Sequence, residues 1–329
     1  MQNKAKEILK EIQDLHVVVI GDIMIDSYAW GSVDRISPEA AVPIVQLFQR
    51  DSRLGGAANA ALNCISLGAK VTLASVIGND EKAKRVLNLC EEEGIFTDLI
   101  IQSNERLTTE KTRILSNNQQ IMRLDEENHY DLSTKEEHPF IEKVLKFLQI
   151  EKPDIVLFED YNKGVLKENV IEKVINHANH LGIITAVDPK KKNFLSYKNV
   201  TIFKPNFKEL QEGLGFAGLK HNLENYKKAH KKLYAILKHQ ISLFTLSEHG
   251  MYYQNQDEEK WIPAHKRKIK DVSGAGDTVI SVAVLWYAIT KNMEEAMKVA
   301  NLAGGLVCEE VGVMPISQDK ILNNIHQIK

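Results

Sequence analysis

His16-Val17-Val18-Val19-Ile20-Gly21-Asp22 is an apolar, mostly β-branched run that stops at a glycine and an acid. Unbroken apolar character predicts a strand buried on both faces, and the Gly-Asp end predicts a functional turn beyond its carboxyl edge. Similar runs recur at Val71 to Ile77, Asp154 to Phe158, Ile183 to Val187, Val200 to Phe203 and Ile241 to Leu246. Between most of them the apolar spacing turns helical, at Ala57 to Leu67, Glu81 to Glu93, Lys167 to His180 and Leu223 to Lys238. This alternation predicts an α/β fold in three layers, a mostly parallel sheet covered by helices on both faces. Tyr28 to Gln49 and Leu99 to Leu124 break it, with strand-like segments and no convincing helix. They predict a small β-sheet lid, about 28–50 and 99–124, able to close over a ligand cleft.

Bulk properties narrow the function. At 329 residues the chain can bury roughly three quarters of its unfolded surface and needs no staples. Cys64, Cys90 and Cys308 are scattered, odd in number and form no Cys-x-x-Cys pair, so they read as buried thiols. A net charge of −2 with interspersed signs gives no field for nucleic acid or an anionic membrane. With no signal-like apolar segment near Met1 and no run long enough to span a bilayer, a cytoplasmic location is expected.

Asp271-Val272-Ser273-Gly274-Ala275-Gly276-Asp277-Thr278 precedes the apolar helical run Val279 to Ile289. Small residues at a helix start leave backbone N–H groups unshielded where the helix dipole favours negative charge. A carboxylate beside such a cradle makes sense as a base. The pairing of a base for an acceptor hydroxyl with donors for a transferring phosphoryl group predicts a small-molecule kinase. The same spacing could also be an ordinary turn with an acidic cap.

Other segments carry compatible chemistry. Gly55-Gly56, followed by Asn59, permits close ligand approach and suits vicinal hydroxyls. Asp22, Asp26 and Asp160, with Lys163 behind, follow strand ends, where ligands sit in open α/β sheets. Asn206 and Glu209, at i and i+3, could organise magnesium-bound water, or could be only a helix cap and its capping box. Gly213 to Gly218 matches Gly-x-Gly-x-x-Gly but follows a helical segment, so the dinucleotide context is missing. There is no Gly-x-x-x-x-Gly-Lys-Ser/Thr loop and no His-Arg-Asp motif. His177 and His180 read as a surface pair.

On the Gly-Asp strand end, Gly55-Gly56 with Asn59, Asn206 with Glu209, and Asp271 through Asp277, in that order, the chain resembles the ribokinase-like (PfkB) family of sugar kinases. The resemblance covers nearly the whole of 1–329, expected as a single kinase domain. It implies a Rossmann-like body, a β lid that could form a homodimer, ATP with Mg²⁺, and Asp277 as base. It also implies an anion hole of Gly274, Ala275 and Gly276, and in this family a monovalent cation is possible. Adenine is expected near Ser247, Glu248 and Gly250 and the helix bearing Asn301, Ala303 and Gly304.

Within the family, Val33 to Val45, Asp160-Tyr161-Asn162-Lys163-Gly164 and Thr245 to Met251 are similar to the heptose 7-phosphate kinase branch. That likeness implies phosphorylation of D-glycero-D-manno-heptose 7-phosphate at O1, on the ADP-heptose route to lipopolysaccharide core. Departures at Ala41, Glu159 and Ser273 bear on the substrate more than on the reaction. Arg35, Arg113, Arg123, Lys163 and Lys190 are candidates for the acceptor's own phosphate. The competing readings are a kinase of an unphosphorylated sugar or nucleoside, a non-catalytic sugar-phosphate and nucleotide sensor, and a nicotinamide dehydrogenase.

Overall fold

The computed structural model describes residues 2–117, 119–216 and 218–328; Asn118 in the second lid segment and Ala217 in the glycine stretch lie outside them. Helix α1 (Gln2–Ile12) leads into β1 (His16–Gly21), β2 (Ile23–Ile36), β3 (Pro43–Gly56) and α2 (Ala57–Ser66). Next come β4 (Lys70–Gly78), α3 (Glu81–Glu92), β5 (Phe96–Ser103), β6 (Thr109–Ser116), β7 (Gln119–Glu126) and α4 (Thr134–Glu151). The third part runs β8 (Ile155–Glu159), α5 (Glu168–His180), β9 (Ile184–Asp188), β10 (Ile202–Phe203), α6 (Phe207–Leu214) and α7 (Leu223–Leu237). It ends with β11 (Ile241–Thr245), β12 (Met251–Gln254), β13 (Glu259–Ile262), α8 (Ala275–Thr290), α9 (Met293–Val307) and α10 (Gln318–Asn324).

Nine strands form one sheet in the order β13-β12-β11-β10-β9-β8-β1-β4-β5, parallel except for the β11-β12-β13 edge. Side chains alternate across a strand, and β1 shows what that does here. Val17 and Val19 join a core with α1, α2, α8 and α9; Val18 and Ile20 join another with α4, α5 and α7. The sheet is thus buried on both faces, as the apolar run in β1 predicted.

A second sheet has the order β3-β2-β6-β7. Its strands extend beyond the expected lid segments at one end and stop short at another. β2 begins at Ile23 and β3 runs to Gly56, whereas Leu99 to Ser103 belong to β5, paired in parallel with β4 in the main sheet. The β-branched pattern of Leu99 to Ile101 is the same for either sheet; only the pairing partner distinguishes them. Among the described residues, no helix is long and apolar enough to cross a membrane.

Candidate active site

Four neighbouring strands of the main sheet end in one row. Gly21 is in register with Glu159, Glu159 with Asp188, and Lys204 follows β10 beside Asp188, its Nζ 3.0 Å from Asp188 Oδ2. The amino end of α8 meets this row. A Cβ on Gly276 would lie 3.3 Å from Asp188 Oδ2 and 3.6 Å from Lys204 Nζ.

Asp277 sits in the first turn of α8 and is buried. The Tyr161 hydroxyl donates to its Oδ1 at 2.6 Å and Asn59 Nδ2 donates to its Oδ2 at 2.6 Å. Burial pushes its pKa up to about 6; the Tyr161 and Asn59 donors pull the other way, while Asp188 adds repulsion. A carboxylate poised near neutrality and held by two donors is oriented to accept a proton.

The turn before it is open. Gly274 is the N-cap, with φ 76° and no side-chain cap. Asp271 shapes the approach by accepting from the N–H groups of Ser273 and Gly312, both at 2.9 Å. Ala275 N–H bonds Val272 O at 3.3 Å, so this member of the expected anion hole is already engaged. The N–H groups of Gly274, Gly276 and Asp277 have no partner among the described residues.

Asn206 and Glu209 do form a capping box: Asn206 Oδ1 accepts from Glu209 N–H at 2.9 Å, and Glu209 Oε2 from Asn206 N–H at 2.8 Å. The other Glu209 oxygen takes Lys190 Nζ at 2.5 Å, and Lys190 also lies 3.5 Å from Asp188 Oδ1. Lys190 therefore belongs to the acidic cluster beside Asp277, not to a separate acceptor-phosphate site.

Other expected residues are occupied by the protein itself. Asp22 accepts from the N–H groups of Tyr161 at 2.9 Å, Lys163 at 3.0 Å and Val165 at 3.1 Å. It is buried and shapes the turn that presents Tyr161, instead of meeting sugar hydroxyls. Asp160 is buried as well, accepting from Asn162 N–H and Tyr197 hydroxyl, both at 2.8 Å, and burial raises it to about 6. Gly55 and Gly56 are needed by the chain's own geometry. A Cβ would come 2.2 Å from Asp26 Oδ2 at Gly55, and 2.4 Å from Asp22 O at Gly56, where φ is 60°. Asn59 donates an amide N–H to Asp277 Oδ2, so it helps to orient that carboxyl group.

Asp26 pairs with Arg113 across β2 and β6, and Lys163 Nζ pairs with Glu127 at 2.7 Å. Arg123 pairs with Asp125 at 2.7 Å on the exposed strand β7. Arg35 is exposed near the far end of β2, nine residues and roughly 30 Å of strand from Asp26. On the expected adenine side, Ser247 and Glu248 are exposed in a short turn, and a Cβ on Gly250 would lie 2.0 Å from Ile262 O. Asn301 Nδ2 donates to Pro263 O at 2.9 Å, which brings α9 to this turn. Ala303 is fully buried, and Gly304 lies against Val279 of α8, a close helix–helix contact.

Sequence reasoning passed over Glu159, Tyr161, Asp188 and Lys204 as site residues. A signal existed: Glu159, Asp188 and Lys204 stand at successive strand ends, where the carboxyl-edge rule applies as it did to Asp22. Nothing local marked Tyr161, whose partner is 116 residues away.

The α/β body, with strand ends and a helix start converging on a buried carboxylate, is that of a small-molecule kinase. Solved structures share the fold. Phosphofructokinase-2 from Escherichia coli in complex with potassium superposes with TM-score 0.80 over 95% of this chain and 98% of its own, at 18% identity. A ribokinase from Arabidopsis thaliana complexed with ribose and ATP gives 0.71 over 94% and 98%, at 18% identity. The pfkB family of carbohydrate kinases matches residues 14–320, and the chain belongs to that family. Curated relatives named bifunctional protein HldE include one from Campylobacter curvus, 38% identical over 91% of this chain, and one from Geotalea uraniireducens, 36% identical over 98%. The chain spans 62% and 66% of those two proteins.

Proposed function

We propose that this carbohydrate kinase transfers the γ-phosphoryl group of ATP to O1 of D-glycero-D-manno-heptose 7-phosphate. The observation that carries the reaction is the Asp277 carboxylate, buried and held by Tyr161 and Asn59 at the uncapped start of α8. Asp277 takes the proton of the attacking hydroxyl while the free N–H groups of Gly274, Gly276 and Asp277 receive the equatorial oxygens of the moving phosphoryl group. Lys190 and Lys204, beside Asp188, add positive charge on the same side. Hard carboxylate oxygens, some without donors, fit Mg²⁺, which neutralises nucleotide phosphates when bound. The nucleotide reading places adenine at the Ser247–Gly250 turn beside Asn301.

The acceptor assignment rests on the 33–45, 160–164 and 245–251 segments and their likeness to the heptose 7-phosphate kinase branch. Arg113 and Lys163 are the cations proposed for the 7-phosphate. Both already pair with carboxylates, Asp26 and Glu127, and this favours the second reading, an unphosphorylated sugar. ADP release measured with heptose 7-phosphate against ribose, fructose and nucleosides decides between them; a higher kcat/KM for any free sugar overturns the first. The four-stranded sheet exposes Ile36, Phe48, Met122 and Leu124, which supports a homodimer through this sheet. A monomer mass in light scattering at micromolar concentration would rule it out.

A further inference from the structure

The Ser247–Gly250 turn is backbone that needs holding. Ser247 has φ 53° and Gly250 φ 84°, and a side-chain-bearing residue in that region is strained unless its surroundings over-determine it. One support comes from β13: the Trp261 indole N–H donates to His249 O at 2.8 Å, and a Cβ on Gly250 would lie 2.0 Å from Ile262 O. A second comes from α6. Phe207, its first residue, stacks on His221 with ring centroids 3.7 Å apart and planes 24° from parallel, and His221 stacks on His249 at 3.9 Å and 23°. The three rings form a column from the capped start of α6, through the loop before α7, to the turn. Among the described residues, the charged and titratable groups facing it are Glu248, with Oε1 3.7 Å from His249 Nε2, and Tyr226 of α7, with its hydroxyl 3.1 Å from His221 Nδ1.

We infer that His221 and His249 are positioning residues for the nucleotide: their stacked rings tie the Ser247–Gly250 turn to the start of α6, and nucleotide binding weakens when acid charges the stack. This rests on the nucleotide reading of that turn. Two neutral imidazoles stack as ordinary aromatic rings, whereas two imidazolium rings with centroids 3.9 Å apart repel each other. Glu248 neutralises at most one of them. Burial holds His221 below its ordinary 6.5; His249 pushes the same way and Glu248 the other. His221 is therefore neutral above pH 7 and takes its proton in acid, where parting of the rings removes one of the two supports of the turn.

Calorimetry of magnesium-ATP binding between about pH 7.5 and 5.5 tests it. His221→Phe keeps a ring and loses the proton; His221→Ala loses both. At the upper pH His221→Phe should bind as wild type does, and His221→Ala about 3–10-fold more weakly. At the lower pH wild type should lose affinity by about 3–10-fold beyond any loss in His221→Phe, because a phenyl ring stacks on His249 in either charge state. Asp277 and the nucleotide's own phosphates titrate in every variant, so the difference between variants reads the stack. The Trp261 indole N–H, one of three in the chain, reports the turn without nucleotide. Its magnetic resonance signal, assigned by its loss in Trp261→Phe, should move with pH in wild type and much less in His221→Phe. Equal pH profiles in wild type and His221→Phe, or wild-type affinity in His221→Ala, overturn the inference, as does a Trp261 signal that moves with no change in affinity. Where a melting curve shows that a His221 variant does not fold, the same change at His249 takes its place. A protein that binds ATP in this pattern but phosphorylates no sugar breaks only the kinase reading. One that phosphorylates a sugar with ATP affinity indifferent to both variants breaks only this inference.

Discussion

Two helices begin beside the same acidic cluster, in opposite ways. α6 closes its first turn with the Asn206–Glu209 capping box. α8 begins at a left-handed glycine with no side-chain cap, and the N–H groups of Gly274, Gly276 and Asp277 have no partner among the described residues. A closed start stabilises the fold by satisfying donors within it; an open one forgoes that stabilisation and keeps the donors for an anion. The acids differ in the same sense. Glu209 has each oxygen tied within the protein, by a backbone N–H and by Lys190, whereas Asp277 is held by two neutral side chains that orient it without neutralising it. If the open start is the chemical one, damage there should cost turnover, and damage at the closed start should cost mainly stability.

The largest effect is expected from Asp277→Asn. Loss of the base should lower single-turnover ADP formation by ~10²–10⁴, while nucleotide binding measured by calorimetry stays near wild type. A variant that keeps most of its turnover would remove Asp277 from the reaction and erase the contrast between the helices. Gly274→Ala attacks the open turn itself. The residue has φ 76°, and the added Cβ would lie 2.7 Å from Asn59 Nδ2, the donor that holds Asp277. Strain of about 1–3 kcal/mol should lower the melting temperature, and displacement of Asn59 should reduce kcat by roughly 10². A loss of stability with kcat intact would mean that the turn is architecture only.

The same carboxyl group is also readable through its proton. In metal-free protein, burial raises Asp277 to about 6 from an ordinary 3.8. Below about pH 4 the group is protonated folded or unfolded and contributes no pH dependence. As pH rises from about 4 to 6, the unfolded chain loses that proton while the fold keeps it, so stability falls. Asp277→Asn has no such proton to exchange. In EDTA its stability advantage over wild type should therefore grow across that window, by on the order of 2 kcal/mol, in denaturant melts at stepped pH. A flat difference would mean that the carboxyl group is solvated and the site is not closed around it.

The β1 run and the glycine-rich start of α8 were legible because each is a local pattern: an apolar strand ending in Gly-Asp, and small residues before an apolar helix. Asn206 with Glu209 was legible as a pair, but spacing could not say whether cap or ligand site came first. Gly55-Gly56 as a pattern predicts room for a ligand, yet β2 fills that room, because cross-strand proximity leaves no mark on either strand. Asp22 and Asp160 were placed at the right edge of the sheet. Their acceptors are spent on backbone and tyrosine donors that only the folded turn brings near. Glu159, Tyr161, Asp188 and Lys204 meet Asp277 from distant parts of the chain, and single-sequence patterns carry no such contacts.

The smallest effect falls on the closed helix start. Asn206→Ala removes the acceptor for Glu209 N–H and should cost about 1 kcal/mol of stability by denaturant unfolding, while Asn206→Ser, which can still cap, should recover most of it. The serine variant also sharpens the comparison. If Asn206 is only a cap, serine restores the apparent affinity for magnesium-ATP together with the stability. If its amide also supports the phosphates, stability returns and the KM for ATP stays raised, because a hydroxyl can accept from the backbone but does not reach as far as an amide. In that case the two helix starts differ in how they share their donors, and the closed one serves the nucleotide as well as the fold.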